Sequence, residues 1–157
     1  MTLKPESAGA RRDALEEWHA GEDTIRLLVG SEQSSGAITI IEGTMHGGGP
    51  PLHIHDVEDE VYVVLEGVLT FQVGEQHGAL SAGEVLWLPR GVPHTVANLS
   101  GAPCRWVATC TPGGIEQMLR AQSEYLASLP AGTAPDPAAM ANAGSSAVRR
   151  AVGPPLS

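Results

Sequence analysis

The chain has 157 residues, a hydrophobic fraction of 42% and a formal net charge of -9. This length fits one domain that buries roughly two thirds of the surface exposed by its unfolded chain. Lys and Arg number only 9 and form no basic stripe, so nucleic acid and anionic membranes are disfavoured partners. The sequence has neither the apolar segment of a signal peptide nor an apolar run near the ~20 residues of a membrane span. We therefore expect a cytoplasmic protein.

The first part of the chain predicts an arm followed by many short strands. Residues 1–22 are charged and rich in Ala and Gly, which predicts a flexible arm with a short helix over residues 13–19. Runs of β-branched and aliphatic residues then alternate with Gly, Pro and Ser turns, one of them at residues 74–78. This spacing predicts an all-β sandwich or barrel over residues 23–113. The strands are predicted at residues 24–29, 37–45, 52–55, 60–65, 68–73, 84–88, 94–98 and 104–110.

The pattern changes after residue 113. Apolar residues then recur every three or four positions, which predicts an amphipathic helix over residues 114–130, ended by Pro130. Residues 131–157 form a tail rich in Ala and Pro, with a short helix predicted over residues 137–148 and capped by Asp136. Cys104 and Cys110 lie six residues apart on one predicted strand, too far apart for a disulfide, so we expect two buried free thiols.

Three histidines and one glutamate form a candidate metal site. His53 and His55 are two apart on a strand and therefore project from one face. Glu60 has the wrong parity for an uninterrupted strand, so either residues 56–59 form a turn or bulge, or Glu60 is not a ligand; their acidic composition favours the turn. His94 would come from another strand. Three imidazoles and a carboxylate suit one divalent transition metal and leave coordination positions open.

The remaining polar residues near these motifs are weaker candidates. Asn98 lies four residues beyond His94 on the same face and is expected to support the site by hydrogen bonding. His46 precedes the glycine loop and is a candidate for the pocket rim. His19 lies in the predicted arm and His77 in a predicted hairpin turn, so neither is expected to join the site.

The two motifs resemble those of a known superfamily. Gly47-x5-His53-x-His55-x4-Glu60-x6-Gly67 resembles the first cupin motif, and Gly83-x5-Pro89-x-Gly91-x2-His94-x3-Asn98 resembles the second. The flanks resemble the small, single-domain quercetin 2,3-dioxygenase-like monocupins, except that His46 replaces a residue that is usually apolar or proline. The flanking matches are Gly48-Gly49-Pro50-Pro51-Leu52, Val63-Val64-Leu65-Glu66-Gly67, Thr111-Pro112-Gly113-Gly114 and Gly153-Pro154-Pro155-Leu156.

The resemblance implies a cupin jelly-roll barrel, also called a double-stranded β-helix, with one or two short carboxy-terminal helices. It implies one divalent transition metal per chain (Fe, Ni, Co, Mn or Zn) and often a homodimer. The implied metal ligands are His53, His55, Glu60 and His94. By strand parity, Tyr62 would face the same interior as Glu60 and is a candidate pocket residue.

Three functions remain open at this point. The first is a metal-dependent dioxygenase of a small enolisable or aromatic substrate, flavonol or polyketide-like, in which Glu60 is both a metal ligand and the catalytic base. The second is a non-redox cyclase, decarboxylase or isomerase, in which the metal polarises a carbonyl. The third is a metal-containing protein that binds a small molecule without turnover. The flanking resemblance favours the dioxygenase.

Overall fold

The described part of the chain contains ten short strands, then two helices, and then one further strand of two residues. The computed structural model describes residues 15–143 and 149–157. None of its helices is long and apolar enough to cross a membrane. The elements are β1 (Glu17–Ala20), β2 (Asp23–Val29), β3 (Thr39–Met45), β4 (His53–Ile54), β5 (Asp59–Glu66), β6 (Val68–Val73), β7 (Gln76–Ser81), β8 (Val85–Leu88), β9 (His94–Ala97), β10 (Cys104–Thr111), α1 (Ile115–Ser128), α2 (Pro137–Asn142) and β11 (Arg150–Ala151).

The strands form two sheets that share one core. The six-stranded sheet has the order β1-β2-β3-β10-β5-β8, and the five-stranded sheet has the order β11-β4-β9-β6-β7. Alternate residues of β5 and β10 are buried, as expected for strands with one face toward an interior. Side chains of both sheets meet in the core, which confirms the predicted all-β barrel. The buried core residues are Ile41, Tyr62, Val64, Leu69, Leu86, Leu88, Val96, Cys104, Trp106 and Ala108.

Three strands are absent from the sequence prediction. Residues 17–20, expected in a flexible arm or short helix, form β1, which pairs with β2 through a turn at Gly21 (φ 65). Burial of Trp18 and pairing with β2 provide the stabilisation that the local sequence does not reveal. Strand β7 occupies part of the predicted 74–78 turn, so His77 is a strand residue. Strand β11 lies in the predicted tail.

The helices and cysteines agree with the sequence prediction. Helix α1 falls within the predicted residues 114–130, and Asp136 accepts a hydrogen bond from the Ala139 N–H at the start of α2. The part of the second predicted helix over residues 144–148 lies outside the described residues. Cys104 and Cys110 are both free and buried.

Glu116 fastens α1 to the six-stranded sheet. Its side chain is buried, and its carboxylate accepts hydrogen bonds from the backbone N–H and hydroxyl of Ser31 and from the hydroxyl of Thr39. Burial alone would raise the pKa of Glu116, but these hydrogen bonds lower it below the ordinary 4.5. The helix is therefore held by a buried carboxylate with donors on both oxygens.

We expect Glu116→Gln to lower the free energy of unfolding at pH 7 by about 1–3 kcal/mol, because a charge-assisted hydrogen-bond network is lost. Since the folded pKa is depressed, the contribution of Glu116 is present above the unfolded pKa of 4.5 and is lost as the pH falls below it. Urea unfolding at pH 7 and at acidic pH would therefore show a smaller acid-induced loss in the variant. Glu124→Gln, on the exposed face of the same helix, is the control; equal effects of the two variants would contradict this role.

Candidate metal centre

The structure brings His53, His55, Glu60 and His94 together in the interior. All four side chains are buried, and one donor atom from each lies within 4.8 Å of the others. His53 and His94 are directly opposed across β4 and β9, whereas Glu60 comes from β5 of the other sheet. The segment between Ile54 and Asp59 leaves the strand conformation, which resets the phase and turns Glu60 inward. The turn interpretation of residues 56–59 is thus supported over the alternative that excludes Glu60.

Each imidazole is oriented by a group behind it. The Nδ1 of His53 lies 2.7 Å from the Pro51 carbonyl, and the Nδ1 of His94 lies 2.9 Å from the Val92 carbonyl. A carbonyl can only accept, so both Nδ1 atoms carry a proton, and the Nε2 atoms are left to face the interior of the metal group. The Nδ1 of His55 lies 3.5 Å from a Glu58 carboxylate oxygen. Such partners fix the tautomer and ring direction of metal-binding histidines.

The protonation states suit a cation. Burial, together with the nearby charge of Arg149, lowers the pKa of His53 from 6.5 to about 3, so this ring is neutral at pH 7. Burial by itself would raise the pKa of Glu60, but the hydrogen bond from His94 and the neighbouring imidazoles lower it to about 2. Burial raises the pKa of Glu58 to about 6. The centre therefore offers imidazole nitrogen and an ionised carboxylate.

These four residues fit one divalent transition metal. The Nε2 of His94 and the Nε2 of His55 lie 3.2 Å and 3.5 Å from the same oxygen of Glu60, so the donors converge on one point. Imidazole and carboxylate together suit Fe, Ni, Co, Mn or Zn. The group could therefore bind such an ion, with His53, His55, His94 and Glu60 as ligands.

Two neighbours of this group were not predicted from the sequence. Glu58 precedes two acidic residues and looks like a solvated turn residue, but its side chain is buried behind His55. The Cys110 thiol lies 3.2 Å from Oε1 of Glu60, to which it donates, because Cys110 and Glu60 are paired across β10 and β5. Only the strand pairing could have shown this contact. The thiol leaves Oε2 of Glu60 as the oxygen that faces the histidines.

The three candidate pocket and supporting residues lie in different parts of the structure. Tyr62 lies beside Glu60 in the cavity wall, as its parity predicts. Asn98 is buried, but its amide group donates to the Met45 and Ala102 carbonyls rather than to a side chain of the metal group. Asn98 thereby ties the end of β3 to the turn before β10, and its support of the metal group stays a prediction. The side chain of His46 is 36% exposed and faces Asp23, 3.5 Å away.

A largely apolar cavity of about 360 Å³ adjoins the centre. Glu60 lies in its wall and also belongs to the histidine group, so this residue is shared by the cavity and the centre. Strand β1 contributes Trp18, although the sequence predicted an arm there, and α1 contributes Ile115 and Leu119. His19 and Asp23 are among the polar residues of the wall. A small, flat, apolar molecule would be buried well by these aromatic and aliphatic surfaces.

Comparison with known proteins agrees with this geometry. The family described as "Cupin domain" matches residues 40–110, which include both motifs and all four members of the metal group. Residues 40–110 are a cupin domain. No curated protein sequence matches the chain.

Solved structures share the cupin fold. An RmlC-like cupin from Shewanella frigidimarina is 18% identical, with 68% of this chain and 92% of that chain covered and a TM-score of 0.57. The polyketide cyclase RemF from Streptomyces resistomycificus is 24% identical, with coverages of 65% and 77% and a TM-score of 0.55. A cupin-superfamily sugar phosphate isomerase from Silicibacter pomeroyi is 19% identical, with coverages of 63% and 72% and a TM-score of 0.53. The quercetin 2,3-dioxygenase-like subgroup stays a prediction.

Proposed function

We propose that this cupin is a metal-dependent dioxygenase of a small enolisable or aromatic molecule. The observation that supports it is the position of Glu60, which belongs to the buried His₃Glu group and also lies in the wall of the apolar cavity. When bound, a redox-active ion of this donor set would supply Lewis acidity and electron transfer to oxygen. Both oxygen atoms enter the product of a dioxygenase, so no external reductant is required.

The chain's own residues would position the substrate and move its proton. Trp18, Tyr62 and Trp106 offer flat apolar surfaces that bury an aromatic or enolic substrate and exclude water. Glu60 is an ionised residue of the cavity wall, so it is the group placed to accept the proton released when the substrate enolises. The Cys110 thiol holds Oε1 of Glu60 and fixes the carboxylate plane.

A non-redox cyclase, decarboxylase or isomerase is the second candidate. A carboxylate beside a Lewis acid can transfer protons without oxygen. RemF is a polyketide cyclase, and the Silicibacter pomeroyi protein is a sugar phosphate isomerase. These two similarities show the fold alone, so they support this reaction class only as a proposal.

Metal content and oxygen dependence are the decisive measurements. We expect protein purified without added metal to hold close to one redox-active transition ion per chain. A screen of flavonols and β-diketones would then show substrate loss only in oxygenated buffer, with one O₂ consumed per substrate. Product formed equally well without oxygen would support the non-redox enzyme instead. Tight ligand binding with no product under either condition would contradict both and favour a binding protein.

A further inference from the structure

The edge of β4 is covered by a segment from the far end of the described chain. In β11, Ala151 lies opposite His53 and Arg150 lies opposite Ile54. Backbone hydrogen bonds extend this contact, from the Val152 N–H to the Leu52 carbonyl at 2.8 Å and from the Leu52 N–H to the Pro154 carbonyl at 3.1 Å. This segment is therefore held directly beside the strand that begins with a histidine of the metal group.

Strand alternation assigns Arg149 to the face of this pairing that carries His53. Directly opposed residues of antiparallel strands share a face, so Ala151 is on the side of His53. Residues two apart on a strand also share a face, and extending the register by one places Arg149 opposite His55. Arg150 lies on the other face, where its guanidinium pairs with exposed Asp56 at 3.2 Å. The two adjacent arginines thus have different surroundings.

The electrostatics of the centre agree with this placement. The charge of Arg149 acts on His53, Glu60 and Tyr62, which are all residues of the centre or the cavity wall. Burial lowers the pKa of Arg149 itself. Within residues 15–143 and 149–157, no group accepts a hydrogen bond from its guanidinium, whereas Arg150 has Asp56. Among the described residues, the guanidinium of Arg149 is thus left to pair with a ligand beside the metal group.

The charge of the loaded centre favours an anion. A divalent ion and Arg149 together outweigh the negative charges of Glu60 and Glu58, which are the carboxylates around the histidines. Asp23, in the cavity wall, already faces His46. A buried excess of positive charge is unfavourable unless a ligand balances it. A ligand with one negative charge would do so.

We infer that Arg149 binds the carboxylate of the substrate, so that the ligand of this cupin is a small aromatic or enolisable acid. The guanidinium fork matches a carboxylate with two parallel hydrogen bonds, while the apolar cavity receives the rest of the molecule. This inference rests on the proposed function, because the metal and Arg149 would hold different parts of one substrate.

The test compares a carboxylate with its neutral analogue. Salicylate and salicylamide have the same ring and phenol oxygen but differ in charge, and their binding to the metal-loaded protein can be measured by titration calorimetry. We expect the wild type to prefer salicylate. Arg149→Gln should weaken salicylate binding about 10- to 100-fold, as for loss of a charged hydrogen bond, and leave salicylamide binding unchanged. Arg149→Lys should retain part of the preference, and Arg150→Gln should behave as the wild type.

Metal analysis of the same samples separates two kinds of failure. Wild-type protein without a stoichiometric metal would contradict the proposed function, and this inference would fail with it. Wild type that carries the metal but has no preference for salicylate, or binds neither probe, would contradict the role of Arg149 alone. Equal losses for both probes in Arg149→Gln would likewise overturn the inference. Thermal unfolding of each variant identifies any loss that comes from misfolding.

Discussion

Replacing His94 by Ala is expected to remove metal binding and the stability that depends on it. His94 is buried, is oriented by the Val92 carbonyl and lies 3.2 Å from Glu60. Its replacement therefore removes one of the four ligand atoms of the metal group. A ligand at 100 times its Kd stabilises the native state by about 2.7 kcal/mol, which corresponds to a rise in Tm of about 5–10 °C for a chain of this size. The wild type should show this rise on metal addition, whereas the variant should show almost none.

The measurement compares metal content and Tm with and without metal, so that the cavity left by the substitution affects both conditions equally. His53→Ala is expected to give the same result, because His53 lies opposite His94 across the two strands. His77→Ala, on the exposed side of β7, is the matched control and should keep the full metal effect. If His94→Ala kept both the metal and the Tm increase, the assigned ligand group would be wrong.

Glu60→Gln is expected to lower turnover by roughly two to four orders of magnitude if Glu60 is the base. The amide keeps the size of the side chain and one oxygen for coordination, but it removes the charge and nearly all basicity. Since Glu60 is ionised, with a pKa lowered to about 2, wild-type activity at neutral pH does not depend on its protonation. We therefore expect partial metal content and near-normal substrate affinity in the variant, with the loss confined to kcat.

The variant also separates the two roles of this carboxylate. If Glu60 is only a ligand, metal affinity and activity should fall together, and added metal should restore turnover. Glu75→Gln, in the exposed turn between β6 and β7, controls for loss of a surface charge. Retention of both metal and full turnover by Glu60→Gln would mean that Glu60 has neither role. Glu58, the buried carboxylate behind His55, would then be the next residue to test.

The sequence predicts those features that depend on local patterns. Strand alternation and turn residues locate β2, β3 and β10 to within two residues, and three-residue periodicity locates α1. The two-residue spacing of His53 and His55 predicts that their side chains share a face, because residues two apart on an extended chain project to the same side. Glu60 needed one further assumption, a turn over residues 56–59, which the structure supports.

The features that the sequence does not predict depend on distant pairing. Strand β1 has little strand propensity of its own, and it exists because Trp18 packs inside and β2 supplies a partner. Cys110 looks like a small apolar residue until β10 is aligned with β5 and brings its thiol to Glu60. Arg149 looks like a tail residue until β11 is paired with β4. Each of these contacts joins segments that are far apart in the sequence, so no local pattern predicts it.

Strand β11, which pairs with β4, is synthesised after all the other strands of the two sheets. Residues 150–154 leave the ribosome after every other strand of both sheets, so the outer edge of β4 stays open in the nascent chain. An open strand edge is a template for pairing with another chain. A chain arrested before residue 150 would therefore expose this edge beside its histidines, whereas a chain that includes β11 closes the edge with its own backbone.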